Sequence, residues 1–369
     1  MAETAEQQAL RDAVKSLLGA ARSGDEGEPG AAVDRSAAAE RDLWRRLAGG
    51  IGVAGLLIPE RFGGAGASLA EVCVVQEELG AALAATPMLG SAVLGTLLLL
   101  DSGDEAACAR LLPGLADGTR IAAVAWTTAA GRWDPDEVAC RAAAGAEGTW
   151  IVGGEAHYVL DGAEATELVV PARAAGGIGL FAVRPDQPGV TIEPHTTMDL
   201  TRPLATVRLA GAAGTRIGGL ARLAPARDLA MIALAAEQAG AAARALARTV
   251  EYARIRVQFG RPIGSFQALQ HRMADMHVLV ESARSLARAA AAAAQRHEPD
   301  LSLRAAAAKA YCSEAFCAVA AEMLQLHGAI AMTWEHDAHR YFKRAHGSAL
   351  LLGAPTAHIA RIATAIIDD

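Results

Sequence analysis

Residues 252–267 read YARIRVQFGRPIGSFQ and form a short polar turn between two long segments with helical periodicity. A glycine and a proline in the turn end the first helical pattern, and Ser265 stands where it would cap the second. The guanidinium of Arg256 suits a phosphate group, and the nearby glutamines suit a nucleobase edge or a ribose hydroxyl. From these residues alone two interpretations stay open: a corner that binds a polar ligand, or a plain helix end with Phe259 and Phe266 in the core.

The chain has three zones that differ in the spacing of their apolar residues, and this turn lies in the last of them. Apolar residues at spacings of three and four predict helices before and after a strand-rich middle zone, and the last four helices have the pattern of a bundle. The predicted helices cover 6–18, 37–47, 69–83, 89–99, 225–257, 265–295, 302–326 and 355–367. The middle zone alternates short Val-, Ile- and Thr-rich runs with Gly, Asp and Pro turns, which predicts a compact β-barrel or sandwich. Its strand candidates cover 121–126, 149–152, 167–171, 179–184, 190–194 and 205–209.

Composition excludes several classes of protein. The 369 residues carry 34 Lys plus Arg against 41 Asp plus Glu, a net charge of −7, so nothing favours nucleic-acid binding. The five cysteines are widely spaced without a CxxC pair, which argues against a disulfide framework or a zinc site and for a reducing compartment. The N-terminus lacks a signal-peptide pattern, and the longest apolar runs are too short to cross a bilayer. We therefore expect a cytoplasmic protein without a membrane span.

Common catalytic motifs give no competing assignment. His336 and His339 form an H-x-x-H pattern, but the spacing is not HExxH and no third ligand is near, so a polar loop entering a helix is the favoured interpretation. We expect no metal. The sequence lacks the G-x-S-x-G elbow of a serine hydrolase. It also lacks a G-x-G-x-x-G fingerprint between a strand and a helix.

Four stretches together resemble the acyl-CoA dehydrogenase family, and the likeness covers essentially the whole chain. They are WRRLAGGIGVAGLLIPERFGG at 44–64, WIVGGEAHYVLDG at 150–162, the R-x-Q-F-G-R-P-I-G-S-F-Q corner, and QLHG at 325–328 followed by WEHDAHRYFKRA at 334–345. The last stretch is similar to a subgroup common in actinobacterial lipid and steroid catabolism. The resemblance implies an α+β fold with an N-terminal α-helical domain (1–117), a middle β-barrel domain (118–222) and a C-terminal four-helix bundle (223–369).

The resemblance also implies a cofactor, FAD, between the β domain and the bundle, with its adenosine end reaching a neighbouring subunit. In such enzymes a carboxylate removes the acyl α-proton and the flavin accepts the β-hydride, which gives a trans-2-enoyl-CoA. An electron-transfer flavoprotein is the implied electron acceptor, and a tetramer is the implied assembly. Positions matching the family's cofactor contacts are Arg256, Gln258, Phe259 and Gln267 (from the neighbour), Gln325 and Gly328 (adenosine side), and Trp126, Thr127, Tyr158 and Val159 (isoalloxazine side).

The chain departs from the family where the catalytic base is expected. The usual base is a glutamate before a glycine near the C-terminus, and Leu352 occupies that position. Some members carry the base early in the first bundle helix, where this chain has Ala230. Glu237, about two turns later on a similar face of the helix, is the candidate base because an apolar surrounding partly desolvates its carboxylate. The alternatives are a structural glutamate paired with an arginine, or a minor role for Asp228 as the base.

Two functions stay open at this stage. The first is an FAD-dependent acyl-CoA dehydrogenase for a bulky, branched or steroid side-chain acyl-CoA, working as a homotetramer or heterotetramer, with Glu237 or a partner's carboxylate as base. The alternative is a non-catalytic structural subunit of a heterotetramer that completes a partner's FAD site, and the missing terminal glutamate favours it. Nothing in the sequence singles out a flavin oxidase or monooxygenase on the same scaffold.

Overall fold

The computed structural model describes residues 3–23 and 37–368. The first zone is helical, as predicted, and two of its helices begin or end in a π-helical turn. Its helices are α1 (Ala5–Ser23), α2 (Ala37–Arg45, followed by the π-turn Arg46–Ile51), α3 (Leu69–Ala82), α4 (Thr96–Asp101, preceded by the π-helical Met88–Gly95) and α5 (Glu105–Ala116). The helix α5 was not predicted from the sequence.

The middle zone is a closed β-barrel with two additional strands. Its strands are β1 (Ala122–Val124), β2 (Cys140–Ala144), β3 (Trp150–Leu160), β4 (Glu167–Ala174), β5 (Gly177–Val183), β6 (Val190–Pro194) and β7 (Leu204–Leu220). Strands β4, β2, β3, β7 and β5 pair in that order, and β5 pairs back to β4, which closes the ring. Strand β1 adds in parallel to β4, and β6 adds antiparallel to β7. Side chains such as Val152, Val170 and Phe181 fill the interior.

The last zone is a helical bundle preceded by a small hairpin. Its elements are α6 (Leu223–Ile255), β8 (Val257–Gln258), β9 (Arg261–Pro262), α7 (Gln267–Gln295), α8 (Leu301–His327), α9 (Ala338–Leu350) and α10 (Pro355–Asp368). The predicted α+β fold class is therefore confirmed. The predicted cap at Ser265 is wrong, because the Ser265 hydroxyl donates to the carbonyl of Pro262 and α7 begins at Gln267 without a side-chain cap.

The described chain divides into two compact units. The described residues within Met1–Glu40, Cys73–Ala84 and Met231–Asp369 form one unit, and those within Arg41–Val72 and Ala85–Ala230 form the other. These units do not coincide with the three predicted domains, because α1 and α3 group with the C-terminal helices, and the domain boundaries stay a prediction.

Helices α3 and α6 of the first unit cross at backbone contact distance. A Cβ added to Gly80 would overlap the carbonyl oxygen of Glu237, and a Cβ added to Gly240 would overlap the carbonyl oxygen of Glu77. Only glycine leaves room for this approach. The crossing therefore fixes the position of Glu237, the candidate base, against α3.

Among the described residues, two helices are long and apolar enough to cross a membrane, and the bent pair Ala338–Leu350 and Pro355–Ile367 passes the same test when taken together. The short apolar runs in the sequence did not suggest this property. The two helices are α6 and the segment Leu301–Met332, and 78% and 44% of their most apolar windows are buried within the fold. Much of this apolar character comes from alanine, which allows bundle helices to pack closely. The absence of a membrane span stays a prediction.

Candidate functional site

The corner between α6 and α7 is a two-residue β-hairpin. Gln258 pairs with Arg261 across β8 and β9. The two residues between them, Phe259 (φ 53°) and Gly260 (φ 78°), both have positive φ, as a type I′ turn requires. Phe259 is 91% exposed, which excludes the alternative that its ring belongs to the core.

Several predicted cofactor residues are exposed around this hairpin. Arg256, Gln258 and Gln267 all have solvent-accessible side chains. The backbone of the corner is nevertheless fixed, since the Ile263 amide donates to the carbonyl of Arg256 at 2.8 Å and the Ile263 side chain is buried. The corner therefore holds a guanidinium, two carboxamides and an aromatic ring on a rigid turn.

The end of α8 lies beside the end of α6. The rings of Tyr252 and His327 stack with centroids 4.4 Å apart, and the Tyr252 hydroxyl donates to the carbonyl of His327 at 3.3 Å. Gln325 is exposed in the last turn of α8, and Gly328 ends that helix with φ 67°. The contact between Tyr252 and His327 thus holds the end of α6, which leads to Arg256, against the end of α8, which carries Gln325 and Gly328.

His327 is a neutral acceptor in this cluster. Its Nδ1 bonds the carbonyl of Met323 at 2.7 Å, while Nε2 is buried without a hydrogen-bond partner among the described residues. Burial lowers the pKa of His327 to about 4, so the ring is neutral at pH 7. The bond to a carbonyl assigns the proton to Nδ1, which leaves Nε2 as a buried acceptor.

In the second unit, Thr127 is joined to a bulge in β3. The register of β3 against β7 shifts between Ala156 and Val159, so His157 and Tyr158 form the bulge. The His157 amide donates to the carbonyl of Thr127 at 2.8 Å, and the Thr127 hydroxyl donates to the carbonyl of His157 at 2.5 Å. Because this bond uses the only hydroxyl proton, the Thr127 oxygen can serve a ligand as an acceptor alone.

The side chain of Trp126 stabilises the loop that follows β1. It is fully buried, and its indole N–H lies 3.1 Å from the carbonyl oxygens of both Asp134 and Glu137. The Trp133 ring packs edge-on against it at a centroid distance of 5.6 Å. The Trp126 carbonyl also accepts from the Ala139 amide at 3.0 Å, so the side chain and this carbonyl are both engaged within the fold.

Tyr158 and Val159 have opposite environments. Tyr158 has a left-handed backbone (φ 54°), is 36% exposed, and donates its hydroxyl to the carbonyl of Ala129 at 3.4 Å. Gly131 lies against the tyrosine ring, where a Cβ would be 3.3 Å from it. Val159 is buried in the barrel core. The bulge therefore turns Tyr158 outward and Val159 inward.

Glu237 is 4% exposed and lies near a buried arginine. The Nε atom of Arg344 is 3.8 Å from its carboxylate, and Nη2 of Arg344 donates to the carbonyl of Ala84 at 2.9 Å. This geometry matches the structural alternative, in which the glutamate is paired with an arginine of the bundle. Removing one member of such a buried pair leaves the charge of the other uncompensated. The role of Glu237 as a base stays a prediction.

The other carboxylate near the start of α6 is also paired. The Asp228 carboxylate lies 3.0 Å from the guanidinium of Arg227, which also donates to the carbonyl of Trp133 at 3.3 Å. Both positions where the family carries its base, Ala230 and Leu352, are fully buried. Neither position supplies a titratable group.

Sequence reasoning missed Lys309, which is fully buried in α8. Its Nζ donates to the Ser313 hydroxyl at 2.8 Å and to the carbonyls of Ala349 and Gly353 at 3.0 and 3.3 Å. Burial lowers the pKa of Lys309 to about 7. The only sequence signal was a single lysine in an alanine-rich run.

The loop that Lys309 holds contains Leu352. This leucine has a left-handed backbone with φ 57°, a conformation that non-glycine residues seldom adopt. Nε2 of His358 lies 3.0 Å from the Leu352 carbonyl. Lys309 and His358 therefore fix this turn from two sides.

Among the described residues, no group of three His, Cys, Asp or Glu side chains is arranged to hold a metal ion, and the absence of a metal stays a prediction. His336 instead accepts a hydrogen bond from the Ala338 amide at 3.1 Å, where α9 begins. This matches the interpretation of the H-x-x-H segment as a loop that enters a helix.

Family models decide the identity of the chain. Residues 4–119 match the model of the acyl-CoA dehydrogenase N-terminal domain, and residues 219–367 match that of the C-terminal domain. The chain belongs to the acyl-CoA dehydrogenase family. The predicted family is thereby confirmed.

Individual relatives of this acyl-CoA dehydrogenase agree with that result. The acyl-CoA dehydrogenase IpdE2 of Mycolicibacterium smegmatis is 40% identical over 90% of this chain and 90% of its own length. The ChsE4-ChsE5 complex of Mycobacterium tuberculosis is 30% identical with a TM-score of 0.86 over 100% of this chain and 99% of that one. A variant of the Tcur3481-Tcur3483 steroid ACAD is 30% identical with a TM-score of 0.84 over 98% of both chains.

These findings confirm the predicted class of activity. This acyl-CoA dehydrogenase is a flavin-dependent oxidoreductase that dehydrogenates acyl-CoA thioesters. Its two residue sets also suit a flavin chemically. One set offers a guanidinium, carboxamides and an exposed ring in the first unit, and the other offers the Thr127 acceptor and the Tyr158 ring in the second.

Proposed function

We propose that the chain binds FAD across a subunit boundary and dehydrogenates a bulky, branched or steroid side-chain acyl-CoA. The observation that carries the proposal is the hairpin at the end of α6. It holds Phe259 at 91% exposure beside the exposed side chains of Arg256 and Gln258. Such a ring costs free energy in water unless another molecule covers it, and the adjacent polar groups suit a dinucleotide.

The chain's own residues divide the binding of FAD between them. Arg256 supplies a planar charged fork for the pyrophosphate, while Gln258, Gln267, Gln325 and the backbone at Gly328 suit the adenosine end. Thr127 offers an acceptor for an N–H of the isoalloxazine ring, and Tyr158 an aromatic surface beside it. FAD, when bound, supplies the acceptor for the hydride that leaves the acyl β-carbon.

The steroid part of the proposed substrate class is supported by the name of one similar structure. One solved structure is that of a steroid ACAD, and this chain matches it over 98% of its length. The small residues on α6 do not add to this argument, because Ala230 and Ala233 are fully buried and Gly240 lies against the Glu77 carbonyl of α3. An electron-transfer flavoprotein as acceptor and a cytoplasmic location stay predictions from the sequence.

A second candidate, a non-catalytic subunit in a heterotetramer, is favoured by the state of the carboxylates. The two positions for a base are Leu352 and Ala230, and the carboxylate of Glu237 lies beside Arg344. In this arrangement the proton-abstracting carboxylate comes from a partner subunit. The ChsE4-ChsE5 structure is a complex of two named proteins, which fits an assembly of that kind.

Flavin content of the purified protein tests the proposal. The chain is purified alone and with a second acyl-CoA dehydrogenase subunit, and bleaching of flavin absorbance is followed anaerobically with straight-chain and steroid side-chain acyl-CoA. A yellow protein that bleaches faster with the steroid thioester supports the first function. A chain that retains flavin and bleaches only with the partner supports the second, and a chain that is colourless in both preparations refutes both.

The hairpin is tested with a matched pair of variants. Arg256→Gln combined with Phe259→Ala should lower flavin affinity at least ~10-fold. The double variant loses a charge-assisted hydrogen bond to the cofactor and the aromatic ring that the cofactor would cover. Arg254→Gln removes an exposed guanidinium two residues earlier and should leave the affinity unchanged. Equal affinities of wild-type protein and the double variant would remove the main support for the proposed site.

A further inference from the structure

A chain of polar side chains lies behind the exposed Tyr158. Nε2 of His195 is 2.7 Å from the Thr206 hydroxyl oxygen, which is 3.4 Å from Nδ1 of His157. Nε2 of His157 is 3.2 Å from the Glu155 carboxylate, whose other oxygen is 3.2 Å from Nε of Arg208. Thr206, at the centre of the chain, is buried.

The donor inventory gives this chain a single direction. The Glu155 carboxylate can only accept, so Nε2 of His157 donates to it, and in this tautomer Nδ1 accepts. The Thr206 hydroxyl then donates to His157, and its oxygen accepts from Nε2–H of His195. These tautomers are assigned from the hydrogen-bond network. Every donor meets an acceptor in this arrangement.

Both histidine rings lie against Tyr158. The centroids of His157 and His195 are 6.1 and 6.0 Å from the tyrosine ring, with interplanar angles of 47° and 49°. Tyr158 is held in a left-handed conformation inside a bulge, and such a conformation persists only where its surroundings enforce it. The hydrogen-bonded chain fixes the orientation of the two rings and thereby the wall behind Tyr158.

We propose that Thr206 and His195 are positioning residues that hold Tyr158 in place for the bound flavin. The proposal rests on the proposed function, since Tyr158 is one of the residues assigned to the flavin. The side-chain hydroxyl of Thr206 is the central element because it serves two histidines at once. Its loss frees His195 and leaves the His157 ring bonded to Glu155 alone, so the support behind Tyr158 weakens.

The first test uses the apoprotein, so it does not depend on flavin. Hydrogen–deuterium exchange is measured for peptides over 155–160, which contain the His157 amide that donates to Thr127. Thr206→Val should speed exchange there ~5- to 10-fold, and Thr206→Ser should restore the wild-type rate. Thr215→Val, at an exposed position on the same strand, should change nothing. Unchanged exchange in Thr206→Val would overturn the proposal.

The second test uses the flavin-loaded protein and a second variant. Thr206→Val and His195→Leu should shift the visible absorption spectrum of the flavin in the same way as Tyr158→Leu does, and Thr206→Ser should not. A spectrum shifted by Tyr158→Leu but by neither other variant would refute the positioning role and leave the proposed function standing. A wild-type chain without flavin would refute the proposed function, and the exchange experiment then decides the positioning role alone.

Discussion

Replacing Lys309 with methionine should change how the stability of the protein depends on pH. The Lys309 side chain is fully buried, and Nζ donates to three oxygen acceptors. Burial lowers the pKa of this amine from 10.5 to about 7. The folded protein therefore binds the Lys309 proton less tightly than the unfolded chain does.

The direction of the pH effect follows from the number of bound protons. Between about pH 7 and 10.5 the unfolded chain keeps a proton that folded Lys309 has released, so the free energy of unfolding rises with pH. The cost of the buried ammonium is fully present below about pH 7 and disappears as the pH approaches 10.5. One pKa unit corresponds to about 1.4 kcal/mol. Between about pH 7 and 9 the wild-type protein should therefore gain about 2 kcal/mol relative to Lys309→Met.

Urea unfolding followed by circular dichroism at about pH 7, 8 and 9 measures this difference. Lys309→Met also leaves two carbonyls unpaired, but that cost does not vary with pH and cancels from the slope. Lys15→Met makes the same chemical change at an exposed position and serves as the control. The reasoning fails if the difference in free energy of unfolding between wild-type and Lys309→Met is constant over this range. It also fails if Lys15→Met changes the pH dependence as much as Lys309→Met does.

Two further predictions concern α6. Glu237→Gln should lower the free energy of unfolding by about 3–5 kcal/mol in urea titrations, because it removes the negative charge from a buried ion pair with Arg344. A variant with wild-type stability and no flavin bleaching by substrate would instead identify Glu237 as the base. Gly240→Ala should lower the thermal midpoint by several degrees, since its Cβ overlaps the Glu77 carbonyl, with a cost of at least about 1–3 kcal/mol. Gly50→Ala, in a helical turn with open space around its Cβ, should not destabilise the protein and should stabilise it by up to about 1 kcal/mol.

The sequence predicted the elements whose signals are local. Strand β6 has the predicted bounds because a β-branched run lies between turn residues. Helix α6 was predicted from the proline in its first turn and from the glycine and proline after its end. Strand β2 was missed because Cys140–Ala144 is mostly alanine, which has low strand propensity, and it forms only through pairing with β3 and β4.

The candidate site was harder to predict because its geometry depends on tertiary contacts. The left-handed bulge at Tyr158 arises from the register of β3 against β7, which residue order alone does not reveal. An arginine partner for Glu237 was foreseen as an alternative, but Arg344 could not be singled out because it lies on another helix. Ser265 was predicted as a cap from its type and position, yet its hydroxyl bonds the Pro262 carbonyl instead.

The glycine crossing between α3 and α6 has a consequence for the folding of the chain during its synthesis on the ribosome. Its two halves, Gly80 with Glu77 and Gly240 with Glu237, are encoded on opposite sides of the entire barrel segment. The apolar faces of the amino-terminal helices that pack on the bundle therefore stay exposed to solvent until the last third of the polypeptide has emerged from the ribosome. Assembly of the bundle is thus a late event, whereas the barrel can close while translation is still under way.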